Sequence, residues 1–191
     1  LKHGSELSIF FFNEINRARP QVHSLQLSVM AGIRSQALVH ASGSERAVRA
    51  MPNTPALIGQ GIAGLFARAA VGAADREAVE AVLASTGKLL WVEREDQLDA
   101  VTALSGSGPA YVFYFIEAMI EAGVQMGLPA EQARLLAQQT FIGAASLAMH
   151  SGEPVPLLRE RVTSKGGTTQ AAIESLDADA VRAAIVRALY A

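Results

Sequence analysis

The chain has 191 residues, half of them apolar, 18% charged and a formal net charge of −2 at pH 7. That much apolar chain buries a core in one large domain or a small pair, which argues against a disordered protein. The two charge signs are mixed without long runs, which excludes the basic footprint of a nucleic-acid or anionic-membrane binder, and the lack of cysteine excludes disulfides and thiolate metal centres.

His3, His23, His40 and His150 are too scattered for a metal cluster, so no metal is expected and demanding chemistry falls to an organic cofactor. No apolar stretch approaches the roughly 20 residues of a membrane-spanning helix, and a soluble, cytoplasmic protein is expected. The second half is rich in alanine and poor in charge, a pattern for helices covered on more than one side and hence for an oligomer.

Residues 1–24 mix Gly4, an Ile9-Phe10-Phe11-Phe12 run and Pro20 with little periodicity, and no element is assigned there. Leu25–Met30 and Arg46–Met51 are short apolar runs bounded by Gly32, Gly43 and Pro52, as buried strands are; Ile62–Ala67 and Lys88–Glu93 read alike. Between the last two, Asp75 is placed to cap a helix running to about Thr86, with Gly87 ending it. Residues 25–93 therefore read as α/β.

Beyond Glu95 helix punctuation takes over. Pro109 suits a first helical turn, Gly127 follows the last periodic residue, and Pro129 opens the next helix. In the first of these, Tyr111, Phe115, Met119 and Ala122 share one face while Val112, Ile116 and Ile120 make another, so the helix needs partners on both sides. A second helix runs from about Ala130 to His150 and ends at Ser151-Gly152-Glu153-Pro154. A final helical pair follows Thr169, broken near Asp177. The organisation is an α/β piece, residues 1–94, followed by an all-helical piece, residues 95–191.

Three segments have the composition of a binding site. Val162-Thr163-Ser164-Lys165-Gly166-Gly167-Thr168-Thr169 places hydroxyls and two adjacent glycines just before a helix, where free N–H groups and the macrodipole favour a carboxylate or phosphate. A plain turn with Thr168 or Thr169 as an N-cap fits the same spacing. Thr102–Tyr111 reads as a small-residue loop that feeds the most apolar helix, with Ser107 placed to cap it; a tight entry turn also accounts for its glycines. It lacks the GxGxxG spacing of a pyrophosphate loop. Arg49-Ala50-Met51-Pro52-Asn53-Thr54-Pro55 stands at the carboxyl end of an expected strand, where open α/β sheets bind ligands, although a plain turn explains Pro-Asn-Thr-Pro as well. Trp91 and the histidines have no catalytic constellation around them.

AMPNTP at 50–55, DAVTALSGSGPAY at 99–111 and VTSKGGTT at 162–169, in this order and spacing, resemble pyrroline-5-carboxylate reductase. The likeness runs from about Val29-Met30-Ala31-Gly32-Ile33 to near the end of the chain. The resemblance implies an α/β Rossmann-type domain for NADPH or NADH, incomplete at its amino end here, followed by an all-α dimerisation domain. It implies reduction of the imino acid 1-pyrroline-5-carboxylate to L-proline, the last step of proline biosynthesis. The partner it implies is a second copy, with dimers assembled into a larger ring.

By the same resemblance, Ser164, Gly166, Gly167, Thr168 and Thr169 hold the substrate carboxylate, Thr169 also reaches the ring nitrogen as the catalytic candidate, and Glu95 is a further substrate contact. Val29, Met30, Ala31, Met51, Pro52 and Asn53 face the nicotinamide, and Ser107, Gly108 and Pro109 close the pocket. Lys165 departs from the family pattern by standing where proline is common. The strand and glycine-rich pyrophosphate loop do not occur in residues 1–30, and the last helix looks clipped at Ala191. The chain is therefore expected to be part of a longer protein, or else to bind cofactor abnormally. Two alternatives stay open: another imine or 3-hydroxyacid reductase of similar build, and an inactive oligomerisation module.

Overall fold

A computed structural model describes residues 9–12 and 24–191 of the chain. Gly4, Pro20, His3 and His23 lie outside the described residues. Backbone contacts divide the chain into two compact units, Leu1–Pro109 and Ala110–Ala191.

The first unit is a sheet with helices. Its strands are β1 (Ile9–Phe12), β2 (Leu25–Ser28), β3 (Ala47–Met51), β4 (Gly61–Ala67) and β5 (Gly87–Trp91), hydrogen-bonded in that order. β2 runs parallel to β3 and β4 to β5, whereas β1 and β2, and β3 and β4, are antiparallel. The four strands expected between residues 25 and 93 are all present, with edges shifted by one or two residues. All four residues of β2 are buried, as suits a strand covered on both faces.

The register sorts the side chains. Val48 pairs with Ala67 and Ala50 with Leu65, and this face joins Leu25 and Leu27 to Val71, Val79 and Leu83 in the main core. Val79 and Leu83 lie one helical turn apart on α2 (Ala73–Leu83), so one stripe of that helix covers the face. Each such Val or Leu contributes about 1.5–3 kcal/mol by leaving water. Arg49 pairs with Phe66 and Met51 with Gly64, on the opposite face.

Two helix expectations need correction here. α2 begins before Asp75 and ends at Leu83, a 3-10 turn filling Ala84–Thr86. Asp75 sits in the first turn, where it accepts the Gly72 N–H at 3.2 Å and the Arg46 guanidinium. The Arg46 hydrogen bond outweighs desolvation and holds the Asp75 carboxyl below its ordinary range. The stretch from residue 102, read as a loop, is instead helical: α3 (Gln97–Val101) runs into a π turn, Thr102–Gly106, whose Ser107 N–H bonds the Thr102 carbonyl at 2.8 Å. Ser107 has helical dihedrals and closes the π turn as its C-cap, where the sequence places it as the N-terminal cap of the next helix. A helix absent from the sequence reading, α1 (Ser35–Ser42), lies between β2 and β3 and ends at left-handed Gly43.

The second unit contains most of α4 (Gly108–Gln125), then α5 (Ala130–His150), α6 (Val155–Arg161), α7 (Thr168–Ala178) and α8 (Val181–Leu189). α4 and α5 fall where the proline and glycine signals put them, while α6 was not foreseen. The last break is at Asp179-Ala180, two residues beyond the expected place, with Ala180 left-handed at φ 52°. A Cβ on Gly123 would come within 2.9 Å of the Ala133 Cβ, so α4 and α5 meet through small residues. Among the described residues no helix is long and apolar enough to cross a membrane, and no group of His, Asp or Glu can hold a metal.

Candidate functional site

β2 and β3 are parallel, so Ser28 and Met51 end at one edge of the sheet, where the two strands open into turns. After β2, Val29 and Met30 are half-buried, Ala31 is exposed, and Gly32 turns the chain at φ 75°. The Ser28 hydroxyl accepts the Met30 N–H at 3.2 Å, which fixes the start of that turn. After β3, Met51, Pro52 and Asn53 are half-buried.

The Asn53 carboxamide is used at both ends. Its Oδ1 accepts the Ile62 N–H at 3.0 Å, and its Nδ2 donates to Ser105 Oγ at 3.2 Å. The π turn carrying Ser105 is thereby tied to the end of β3. A Cβ on Gly106 would lie 2.6 Å from the Met51 methyl, and one on Gly64 2.8 Å from Val101, so both contacts depend on glycine. Ser107, Gly108 and Pro109 follow this turn and are half-buried.

Glu95 occupies the same face of the sheet. Its Oε1 accepts the Ser35 N–H at 2.6 Å and Arg49 Nη1 at 2.8 Å, while Oε2 accepts the Ser35 hydroxyl at 2.7 Å. Burial raises the Glu95 pKa, but the hydrogen bonds from Ser35 and Arg49 outweigh it and hold the carboxyl below its ordinary range. The carboxylate also supplies the N-terminal partner that α1 lacks in its own sequence. Neither the tie of Arg49 to Glu95 nor the part played by Ser35 is read from sequence. A charged residue in the buried run of β3 was a usable signal for the first.

The glycine-rich corner lies in the second unit. Thr163 Oγ1 donates to the Arg159 carbonyl at 2.7 Å, closing α6, and the chain turns through Gly166 at φ 73°. Gly167, not Thr168 or Thr169, is the N-cap of α7, and its N–H bonds the Ser164 carbonyl at 3.0 Å. The Gly166 N–H is held by Gln170 Oε1 at 2.7 Å. A Cβ on Gly167 would lie 2.8 Å from Ser164 Oγ, so glycine leaves that hydroxyl room at the helix start. Ser164 and Thr168 are exposed and Thr169 half-buried, and none of the three hydroxyls has a hydrogen-bond partner among the described residues. With the first N–H groups of α7 and exposed Lys165, this corner has the donors and the field to bind a carboxylate.

The structure thus brings Met51, Asn53, Glu95 and the 105–109 turn into one unit and gathers Ser164 to Thr169 in the other. An open sheet with helices, whose parallel strands β2 and β3 end side by side, followed by an all-helical unit, defines a two-domain chain of Rossmann type. Residues 95–191, just over half of the chain, match the profile described as pyrroline-5-carboxylate reductase dimerisation, and the chain belongs to that family. It is 48% identical over 168 residues to a pyrroline-5-carboxylate reductase of Pseudomonas aeruginosa, covering 87% of this chain and 62% of the relative. A pea enzyme of the same name is 41% identical, with 87% and 61% covered. Among solved structures, a Coxiella burnetii pyrroline-5-carboxylate reductase superposes with a TM-score of 0.84 at 40% identity, covering 90% of this chain and 64% of that one. A Plasmodium falciparum pyrroline carboxylate reductase with NADP bound gives 0.81 at 34% identity, with 87% and 67% covered. The chain therefore spans less than two thirds of the length of the two curated relatives.

Proposed function

We propose that this chain forms the substrate-binding and dimer-forming part of an NAD(P)H-dependent reductase that converts 1-pyrroline-5-carboxylate to L-proline, in the cytoplasm. The observation that carries the reading is the Gly166-Gly167 corner, where three unpartnered hydroxyls surround the start of α7. It supports Ser164, Gly166, Gly167, Thr168 and Thr169 as the carboxylate site. Residues 95–191 form the substrate and dimerisation part in this reading, with Glu95 carried over from the family resemblance as a further substrate contact.

The strand ends fit a dinucleotide. Val29, Met30 and Ala31 after β2, and Met51, Pro52 and Asn53 after β3, would border the nicotinamide of NADPH or NADH, with Ser107, Gly108 and Pro109 beside them. When bound, the dinucleotide supplies the hydride that the imine carbon receives. The residues of the chain hold the planar ring in register for that transfer, a positioning effect worth roughly 7–11 kcal/mol in favourable cases. The Thr169 hydroxyl is a hydrogen-bond partner for the ring nitrogen. It is too weak an acid to protonate the ring unaided, so the proton comes from water or is already on the substrate.

The partner in this reading is a second copy of the chain. α4 and α5 expose Phe113, Tyr114, Leu135, Leu136 and Ile142, far more apolar surface than a lone helical unit tolerates. Assembly of dimers into a larger ring rests on the family resemblance alone.

The carboxylate site is tested by calorimetric titration of the full gene product with L-proline. Gly167→Val pushes a branched side chain into the space beside Ser164 Oγ and is expected to weaken binding by at least about 100-fold, ~2.7 kcal/mol. Unchanged affinity would remove the corner from the site.

A further inference from the structure

We propose that one face of β3 is a clamp that fixes the π turn and the residues after it, with Asn53 acting through its side chain as a positioning residue. The inference rests on the reductase reading only for its kinetic consequence. Side chains alternate along extended chain, so Arg49, Met51 and Asn53 project to the same side. Each holds a different point of the 95–106 segment. Arg49 grips the Glu95 carboxylate at 2.8 Å, the Met51 methyl fills the space over Gly106, and Asn53 donates to Ser105 at 3.2 Å.

The three contacts differ in kind, which is why they work together. The Arg49–Glu95 pair is largely buried, the side chains being 9% and 18% exposed, and Ser35 satisfies the rest of the carboxylate, so it anchors one end of the segment. Gly106 and Met51 set the distance of closest approach. Asn53 sets the rotation, because a carboxamide bonded at both ends has one orientation: the β4 N–H of Ile62 holds Oδ1, which aims Nδ2 at Ser105. A π turn needs such outside support, since its i→i+5 bond carries one residue more than an α turn would. Ser107 to Pro109, proposed above to lie beside the nicotinamide, take their place from this turn.

The test is amide hydrogen exchange over residues 102–108 in the full gene product, with Asn53→Ala, Ser105→Ala and the double variant. Each single variant is expected to speed exchange there by at least about tenfold while leaving α2 unchanged. Ser105→Ala in the Asn53→Ala background should add nothing, and Ser105→Thr, which keeps the hydroxyl, should restore protection. Turnover of 1-pyrroline-5-carboxylate should fall by about 10- to 100-fold in either variant, with the resting affinity of Ser105→Ala for NAD(P)H changed by less than about twofold. Unchanged exchange at 102–108, additive effects in the double variant, or a tenfold loss of cofactor affinity in Ser105→Ala would overturn the clamp. Faster exchange in a protein whose wild type shows no reductase turnover would sustain the clamp and sink the reductase reading.

Discussion

In the first unit Leu27, Val48 and Leu65 are 2%, 0% and 0% exposed, and they share one core. In the second, the buried apolar side chains among the described residues are Ala133 and Ala137, while Phe113 is 58% and Tyr114 72% exposed. The two units have similar apolar content but put it to different uses. The sheet turns its large side chains inward against α2, whereas the helical unit turns small residues inward and large ones outward. Apolar composition therefore measures how much surface must be covered, and the fold decides whether the chain covers it alone.

The comparison can be broken most directly in the second unit. Phe113→Asp with Leu136→Asp puts two carboxylates on its exposed apolar surface and, on the dimer reading, should raise the dissociation constant at least about a thousandfold, ~4 kcal/mol. Sedimentation velocity across a concentration series reads it. An unchanged association state would mean that the surface is covered by something other than a second copy. Its counterpart is Leu65→Ala in the first unit, which should cost about 2–5 kcal/mol through the cavity it leaves, without altering the association state. Chemical denaturation at two protein concentrations checks it; a loss that grows on dilution would show that the sheet also leans on a partner.

The smallest effect sharpens the first unit alone. Because hydrogen bonds hold the folded Glu95 carboxyl below its ordinary range, its contribution is complete above the unfolded value and is lost as pH falls through the depressed folded one. Glu95→Gln should cost about 1–3 kcal/mol at pH 7 and flatten the acid limb of the stability curve. Thermal unfolding from pH 7 down to pH 3 measures both, and an acid limb as steep as that of the wild type would assign the loss to other carboxylates.

Much of this architecture is legible in the sequence. β2 to β5 are found because short apolar runs end at glycine or proline, and α4 and α5 because Pro109, Gly127 and Pro129 punctuate long periodic stretches. α1 escapes because SQALVHAS has weak amphipathicity and its N-terminal partner, Glu95, lies 60 residues away. The π turn is mistaken for a loop because Ser-Gly-Ser-Gly is ordinarily loop chemistry, and the residues it packs against, Met51 and Asn53, lie far away in sequence. The proposed site divides the same way. Its glycines and hydroxyls stand out as motifs, but the ties from Arg49 to Glu95 and from Asn53 to Ser105 join residues about fifty positions apart, which no local pattern encodes.

Where β4 and β5 begin, Gly61 pairs with Gly87, and a Cβ on Gly87, held at φ 130°, would overlap the Gly61 backbone. A Cβ on Gly61 would meet Ala56 on one side and the Thr86 carbonyl on the other. Sliding this parallel pair by one residue would drive the side chain of Ile62 or Lys88 into that gap. The alignment of the last two strands is thus chosen by exclusion: every neighbouring register is sterically closed, leaving the sheet one way to finish.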